Sequence, residues 1–387
     1  MIIPFLHYQT GGMERQSWQL AHHLLQRGIE VHFITGMRLW ERWTRSLPVS
    51  ETKDGIVIHR LPGLYPPNGN KFWPLELILG AARVFQRERF DIVHAHQLFS
   101  AGLAAASLRH VHKAPIVAKV AGGGSDGDIA DIRRWPFTKT KLRRLDRMDR
   151  FIAITPQISE ELAGIGITED RIANIPNGVD TKKFKTSQGD KRIFKQKLNL
   201  PDAPLLLFVG RIVPTKQVDR LLSAWPSVLQ TLPKAKLLLL GKSDRSTSYG
   251  AKIQSMINAS WKNSVIFQGT VEDTGPWLQA ADAFVLPSRA EGLSNALLEA
   301  AASGLPIVAS DIPANRHVLE PGSSALMFSP NNTNDLAKQI IQVLTQPKLA
   351  ADLGRQARRK IEKDFSLESV ADAYVRLYEE LRLSAKD

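Results

Sequence analysis

The sequence predicts an α/β protein with two Rossmann-like domains, each built on a doubly wound parallel sheet. Short aliphatic runs recur along its 387 residues, and each is followed by a turn and a segment with helical periodicity, which is the βαβ pattern. Several runs are continuously apolar, as expected for strands that helices cover on both faces. The length exceeds what one hydrophobic core usually serves, so two domains are expected.

The predicted strands form two sets of six. The first set reads IIPFL, VHFIT, IVIHRL, DIVHAH, IVAKVA and FIAIT, and the second reads PLLLFVG, AKLLLLG, SVIFQG, AFVLPS, PIVAS and ALMFS. A polar stretch separates them, and Asn177-Gly178 is its strongest turn signal. We therefore expect an N-terminal domain over residues 1–177, a linker over 178–190, a C-terminal domain over 191–365 and a final helix over 366–387.

Composition limits the chemistry and the partners. The 51 Lys and Arg residues outnumber the 38 Asp and Glu residues, and the net charge of +13 favours anionic partners such as phosphates, nucleotides, nucleic acid or acidic membranes. The absence of cysteine excludes disulfides, thiolate metal sites and cysteine nucleophiles. Because no apolar run reaches membrane-spanning length and the N-terminus lacks a secretory signal pattern, a cytoplasmic protein is predicted.

Doubly wound domains bind ligands outside the carboxyl ends of their strands, so we expect the two domains to face a central cleft that their loops enclose. The segment RAEGLSNALLEAAASGLP follows a predicted strand at such a place. Ser294 is a natural N-cap for a helix that Gly304 closes. Glu291 precedes this helix and Glu299 lies inside it, so a diphosphate on the first-turn N–H groups would have a carboxylate on each flank. Two carboxylates suit the hydroxyls of a nucleotide sugar, although either could be an ordinary capping or helix-forming residue.

The segment VGRIVPTK places two cations after another predicted strand. Arg211 follows the strand directly, and Lys216 precedes an amphipathic segment. Arg offers a bidentate fork and Lys a mobile point charge, and both suit the charge that grows on a departing diphosphate. The alternative is that both are solvated cations of a basic protein.

Two short motifs lie near the ends of predicted strands in the first half. One is a pair of glycines that follows a strand, and the other is a pair of histidines within a strand. Gly11 and Gly12 would let the backbone approach a ligand, but the dinucleotide fingerprint G-x-G-x-x-G is missing. His94 and His96 share one strand face, because side chains alternate along a strand. We expect His96, nearer the carboxyl end, to donate a hydrogen bond in the cleft and His94 to pack in the core.

A run of three glycines follows another strand of the first half. Gly122, Gly123 and Gly124 predict a loop that is mobile or closely approached, and we expect it at the cleft. Asp126 and Asp128 form a D-x-D, which some glycosyltransferases use to hold a metal. We interpret them as a pair of turn acids, because three residues are a weak match to that motif.

A basic segment completes the candidates. Residues 133–150 mix eight cations with apolar side chains, among them Trp135 and Phe137. Such a segment suits anionic lipid or nucleic acid. The alternative is a solvated basic face.

Together these segments resemble the GT4 family of retaining glycosyltransferases, which have the GT-B fold. The most specific match runs from NSVIFQG to PIVASD and contains the family's E-x7-E element as Glu291 and Glu299. VGRIVPTK resembles the family's donor-phosphate segment, GGMERQSWQLAHHLLQRGIEVHFIT its glycine loop and first helix, IPNGVDTKKF its interdomain connection, and HAH its donor-facing histidine. Gln217 departs from the pattern, since a Gly often follows the Lys, and His317 stands where many relatives carry Glu.

The resemblance implies roles for these residues. Glu299 would hold the ribose hydroxyls of the nucleotide, and Glu291 those of the transferred sugar. The catalytic set would be Glu291, His96, Arg211 and Lys216. The donor-binding set would be Gly11, Gly12, Arg211, Lys216, Val271, Glu291, Leu293, Ser294, Asn295 and Glu299. The loop of Gly122, Gly123 and Gly124 would lie near the acceptor. The resemblance also implies that no metal or other cofactor is needed, and that the acceptor attacks on the face the diphosphate leaves.

We therefore predict a retaining, metal-independent glycosyltransferase that moves a sugar from a nucleotide-diphosphate sugar, such as a UDP-sugar, to a hydroxyl acceptor. The acceptor would be a sugar or a lipid-linked sugar in polysaccharide, glycolipid or cell-envelope glycan synthesis, with peripheral membrane contact through residues 133–150 and no nucleic acid partner. Two alternatives remain open: a GT-B nucleotide-sugar epimerase, and a basic module without catalysis that binds membrane or nucleic acid.

Overall fold

The chain divides into two compact units. One comprises Met1–Gly178 together with Leu367–Asp387, and the other comprises Val179–Ser366. The computed structural model describes residues 1–6, 12–38, 47–63, 73–124, 127–134, 138–186, 190–243, 247–257 and 263–385. Gly11, Asp126 and the aromatic residues Trp135 and Phe137, all singled out from the sequence, lie outside these ranges.

The first unit is built on one sheet. Its strands, as far as the described residues show, are Ile2–Phe5 (β1), His32–Arg38 (β2), Ser50–Lys53 (β3), Ile56–Gly63 (β4), Val93–His96 (β5), Ile116–Val120 (β6), Arg150–Ala153 (β7) and Ile172–Asn174 (β8). They lie in the order β3-β4-β2-β1-β5-β6-β7-β8, and all neighbours are parallel except β3 and β4. The order therefore reverses between β1 and β5.

Helices connect these parallel strands. They are Gly12–Leu25 (α1), Trp73–Arg87 (α2), Leu103–Ser107 (α3), Arg109–His112 (α4), Asp128–Arg134 (α5), Thr138–Leu145 (α6) and Pro156–Ala163 (α7), with a π-helical turn at Leu98–Gly102. The C-terminal helix Leu367–Ser384 belongs to this unit and packs beside α1. There the Arg27 side chain donates to the Asp372 carboxylate at 2.7 Å and to the carbonyl oxygen of Glu368 at 3.2 Å.

The second unit has a fully parallel sheet. Its described strands are Leu205–Val209 (β9), Lys236–Leu240 (β10), Val265–Gly269 (β11), Ala283–Leu286 (β12), Ile307–Ser310 (β13) and Leu326–Phe328 (β14). They lie in the order β11-β10-β9-β12-β13-β14. Chain order thus runs one way from β9 and the other way from β12, so the switch point between them is where a doubly wound sheet binds its ligand.

Helices cover this sheet too. They are Lys191–Lys197 (α8), Val218–Thr231 (α9), Ser248–Met256 (α10), Gly275–Ala280 (α11), Asn295–Ala302 (α12), Pro313–Val318 (α13), Thr333–Thr345 (α14) and Pro347–Asp364 (α15). The core includes Trp225 of α9, Leu237 and Leu239 of β10 and Ile340 of α14, all without solvent exposure. Burial on both faces explains why these strands read as continuous apolar runs.

All twelve predicted runs are strands, which confirms two parallel-sheet α/β domains. Two strands of the first unit, β8 and the antiparallel β3, were not predicted, although the signal of β3 is present in Asp54-Gly55. Both residues have positive φ, 51° and 80°, and they form a two-residue turn between paired Lys53 and Ile56. Asp-Gly favours such hairpin turns because both positions need left-handed backbone.

The predicted linker over 178–190 lies mostly within the second unit. The Val179 N–H donates to the carbonyl oxygen of Phe365 at 2.9 Å, and Phe184 is buried. The guanidinium of Arg358 donates to the carbonyl oxygens of Thr181 at 3.4 Å and Phe184 at 3.1 Å. The described part of this segment is therefore held in place by hydrogen bonds, although its sequence is rich in turn residues. The boundary between the two units lies between Gly178 and Val179.

Candidate donor-binding site

The carboxyl ends of β9, β10 and β11 converge through backbone hydrogen bonds. The Gly210 N–H donates to Leu240 O at 2.9 Å, and the Gly241 N–H donates to Gly269 O at 2.7 Å. Gly241 has φ +139°, and a Cβ there would overlap the carbonyl oxygen of Gly210. Only glycine permits this close approach, which holds the loop of Arg211 after β9 against the loop after β10.

The two loops at the switch point meet directly. Lys216 ends a 3₁₀ turn after β9, and Glu291 lies in the loop after β12. The Lys216 ammonium forms an ion pair with the Glu291 carboxylate, and the two side chains are only 17% and 9% exposed. The Arg289 N–H also donates to Thr215 O at 2.9 Å, so backbone and side chains both join the loops.

Helix α12 follows the Glu291 loop as the sequence predicts. The Ser294 side chain caps the helix by accepting from the Leu297 N–H at 3.4 Å. Gly304 has φ +70° and ends it, and the Leu305 N–H donates to Ala300 O at 3.2 Å. The cap fixes the start of α12 beside the Glu291 loop, where the positive end of the helix dipole suits an anion.

Glu299 has a partner outside the Lys216 pair. Its side chain is buried, and its Oε2 accepts a hydrogen bond from the Thr274 hydroxyl at 2.8 Å. Thr274 precedes helix α11 in the position of an N-cap, but its hydroxyl makes no capping bond. Sequence reasoning missed Thr274 because Thr before Gly-Pro is typical of a helix start and gives no sign of a distant carboxylate.

The remaining predicted donor residues lie along the same edge of the sheet. Arg211 is exposed, Val271 and Asn295 are half-buried, and Leu293 and Ser294 are buried. The edge therefore presents an exposed cation, a paired cation, a helix N-terminus and two carboxylates with separate partners. This arrangement can hold a diphosphate by charge and hydroxyl groups by hydrogen bonds.

In the first unit, His96 ends β5 beside the switch point of its own sheet. The His94 and His96 ring centroids lie 4.1 Å apart, which places both on one face. His94 Nδ1 is hydrogen-bonded to the Tyr378 hydroxyl at 2.7 Å, as suits a packed core histidine. His96 is only 1% exposed, and burial lowers its pKa well below the usual value. The expected cleft-facing role of His96 stays a prediction.

A buried lysine beside these histidines was not predicted. Lys119 of β6 donates to the Asn177 side chain at 2.7 Å, and its ammonium lies 6.0 Å from the Tyr374 ring. Burial lowers the Lys119 pKa from 10.5 to about 8. The sequence shows one lysine within an apolar run, and because lysine is rarely buried this pattern alone does not predict a buried cation.

The glycine loop after β6 is packed against α7. Gly122, Gly123 and Gly124 are all half-buried, and the Gly124 N–H donates to the Glu161 carboxylate at 2.8 Å. A Cβ at Gly123 would lie 3.0 Å from Ile158 Cγ1 and 3.2 Å from a carboxylate oxygen of Glu161. The close approach that the sequence predicts at Gly123 is therefore made by a helix of the same unit. The expected acceptor role of the three glycines stays a prediction.

The interpretation of Asp128 as a turn acid is wrong. Its carboxylate is buried at the start of α5 and accepts hydrogen bonds from the N–H groups of Ala121 at 2.7 Å and Leu98 at 3.4 Å. Burial raises the Asp128 pKa to about 6. The carboxylate thus joins the segments that follow β5 and β6. Of the two glycines predicted in the first loop, the structure describes Gly12, which begins α1 and is exposed.

Comparison with known proteins identifies the class. The profile described as Glycosyltransferase Family 4 matches residues 10–183, and the profile described as Glycosyl transferases group 1 matches residues 203–346. The chain belongs to the family 4 glycosyltransferases. It is 27% identical to D-inositol 3-phosphate glycosyltransferase 2 of Catenulispora acidiphila over 96% of this chain and 92% of that protein.

Two solved structures share the fold of this family 4 chain. Sucrose-phosphate synthase from Thermosynechococcus elongatus superposes with a TM-score of 0.83 at 22% identity, covering 99% of this chain and 98% of that one. HepE of Anabaena, in complex with UDP and glucose, gives a TM-score of 0.78 at 17% identity and 98% coverage of both chains. The GT-B fold class and glycosyl transfer from a nucleotide sugar are thereby confirmed, and the roles of single residues stay predictions.

The buried charge of Lys119 predicts a pH-dependent stability. The unfolded chain takes up this proton near pH 10.5 and the folded chain only near 8, so stability falls as pH drops through that window. Unfolding free energy from urea denaturation should therefore rise by roughly 3 kcal/mol between pH 8 and 10.5 in the wild type, relative to Lys119→Met. Lys139→Met, which removes an exposed lysine, should keep the wild-type slope, and equal slopes in wild type and Lys119→Met would contradict the account.

Proposed function

We propose that this family 4 enzyme is a retaining, metal-independent transferase that moves a sugar from a nucleoside-diphosphate sugar to a hydroxyl group. The observation that carries the proposal is the sheltered Lys216–Glu291 ion pair at the β9/β12 switch point, next to the first turn of α12. The cation and the helix N-terminus match the diphosphate of such a donor, and the Glu291 carboxylate matches its sugar. Glu299, inside the same helix, matches the ribose of its nucleoside.

The ion pair suggests how the donor enters. An incoming diphosphate competes with Glu291 for the Lys216 ammonium, and Arg211 offers a second cation. Once Lys216 turns to the phosphate, the Glu291 carboxylate is released to accept hydrogen bonds from the hydroxyls of the transferred sugar. Glu299, held by Thr274, is proposed to accept hydrogen bonds from the ribose.

The proposed reaction places growing charge next to fixed cations. The bond from the anomeric carbon to the diphosphate oxygen breaks, and the acceptor oxygen forms its bond on the same face. The acceptor's proton passes to the departing phosphate oxygen. Arg211, Lys216 and the N–H groups of α12 stabilise this leaving group more than the ground state, which is the condition for lowering the barrier. Because these groups can carry the diphosphate charge, we propose that no metal is required.

The donor base is proposed to be uracil, which the complex of the similar HepE with UDP and glucose supports. The acceptor is proposed to be a sugar or lipid-linked sugar in polysaccharide, glycolipid or cell-envelope glycan synthesis. A comparison of UDP with GDP and ADP tests the choice of base directly.

The donor site can be tested by thermal unfolding with UDP, GDP or ADP, each with EDTA or magnesium. A ligand that binds the folded protein raises its melting temperature, so we expect UDP to stabilise the wild type equally in EDTA and in magnesium. Glu299→Gln should weaken UDP binding, whereas Glu291→Gln should keep it and lower kcat for sugar transfer by roughly 100-fold, by loss of a sugar contact made in the transition state.

Two outcomes would contradict the proposal. If no nucleoside diphosphate at millimolar concentration raises the melting temperature, the site does not bind a donor of this kind. If Glu291→Gln and Glu299→Gln both transfer sugar at the wild-type rate, the two carboxylates have no part in the reaction. Glu272→Gln, which neutralises an exposed carboxylate of the same unit, serves as the matched control.

We also propose that residues 133–150 contact anionic lipid at a membrane surface. Five cations of the segment are exposed, namely Arg133, Arg134, Lys139, Arg143 and Arg147, whereas Lys141 is buried and donates to Ile132 O at 2.6 Å. Such a surface gains about 1 kcal/mol per cation near an anionic membrane. Within the described stretches, no helix has the length and apolar character needed to cross a membrane.

Vesicle sedimentation tests this contact. The wild type should bind vesicles rich in phosphatidylserine and release them as salt rises, because the attraction is screened. The double variant Lys139→Gln/Arg143→Gln should bind about 30-fold more weakly, at about fivefold per removed charge. Lys234→Gln/Lys348→Gln removes two exposed lysines of the second unit and should bind as the wild type; equal binding by both double variants would overturn the proposal.

A further inference from the structure

Gln217, directly after Lys216, has an unusual backbone conformation for its residue type. Its φ of 48° and ψ of 39° lie in the left-handed region, where a side chain with a Cβ is disfavoured. Glutamine at this position therefore costs backbone strain, and such strain often accompanies a functional role of the residue.

The Gln217 side chain is buried and reaches the loop that carries Glu291. With its amide oriented so that both ends are satisfied, Nε2 donates to Pro287 O at 3.1 Å and Oε1 accepts from Arg220 Nε at 3.1 Å. Pro287 directly follows β12 and lies four residues before Glu291. The side chain therefore spans the switch point, from the turn of Lys216 to the start of the Glu291 loop.

This contact completes a row of anchors along the loop. The carbonyl oxygen of Pro287 accepts from Gln217, that of Ser288 accepts from the Ser310 hydroxyl, and the Arg289 N–H donates to Thr215 O at 2.9 Å. Three consecutive residues are thus fixed, and two of the three anchors come from the turn of Lys216. Of these two, only the Gln217 anchor depends on a side chain.

We propose that Gln217 is a positioning residue for sugar transfer: its amide clamps the Glu291 loop to the turn of Lys216. The clamp fixes the spacing of the two loops while the donor separates the ion pair. Lys216 then binds the diphosphate, and Glu291 binds the sugar. Without it, the backbone bond from Arg289 to Thr215 would have to hold the two loops when the donor breaks the ion pair. This inference rests on the proposed function.

The test compares Gln217→Met with Gln217→Gly. Methionine keeps the side-chain length and the left-handed strain but forms neither hydrogen bond, whereas glycine removes the strain as well. Both variants should lower kcat by roughly 10- to 100-fold, as expected when reacting groups are misplaced, while the dissociation constant for UDP stays close to that of the wild type. Asn199→Gly is the matched control, because Asn199 is also left-handed, with φ 53°, and lies after α8 in the same unit.

Two readouts separate a clamp from a general effect on the fold. Melting temperatures identify any variant that fails to fold, and amide hydrogen exchange at Arg289 reports the loop directly. Exchange at Arg289 should be at least several-fold faster in both Gln217 variants and unchanged in Asn199→Gly. Wild-type kcat in Gln217→Gly and Gln217→Met, an equal loss of kcat in Asn199→Gly, or unchanged exchange at Arg289 would overturn the proposal.

The failure of this inference is distinguishable from failure of the proposed function. If the wild type transfers no sugar from any nucleotide sugar, the proposed function is wrong, and amide exchange at Arg289 still decides whether Gln217 clamps the loop. If the wild type transfers sugar and the Gln217 variants do so at the same rate, the function stands and the clamp is wrong.

Discussion

The contact between Lys216 and Glu291 is the interaction on which the account of this site depends. It joins residues 75 positions apart, from loops that leave neighbouring strands at the point where the order of the sheet reverses. Such a sheltered pair contributes little net stability, because taking two charges out of water costs about as much as their attraction returns. We propose instead that the pair keeps a cation and a carboxylate in place for a charged ligand.

Several features of the second unit serve to keep that pair in place. The close approach of Gly210 and Gly241 fixes the strand ends, and the cap at Ser294 fixes the start of α12. The backbone bond from Arg289 to Thr215 and the amide of Gln217 hold the two loops together. The polar groups lie at one edge of a parallel sheet because its apolar strands must be covered by helices everywhere else.

The sequence was sufficient for features that depend on local pattern. Continuous apolar runs predicted the strands, and Ser294 and Gly304 predicted both ends of α12, because capping depends on residues a few positions apart. The hairpin turn at Asp54-Gly55 was predictable for the same reason and was missed. Partners that the fold brings together could not be predicted in this way. No local signal links Thr274 to Glu299, since this contact arises only when distant segments pack. In the sequence, Gln217 was visible only as a departure from a family pattern. Its hydrogen bond to Pro287 could not be predicted, because the fold brings the two residues together.

The most direct measurement is a crystal structure of the protein with UDP in a buffer that contains EDTA. The account predicts the diphosphate at the first turn of α12, with Lys216 turned from Glu291 to a phosphate oxygen and the ribose hydroxyls on Glu299. UDP bound away from the β9/β12 switch point, or bound there with the Lys216–Glu291 pair intact, would contradict it.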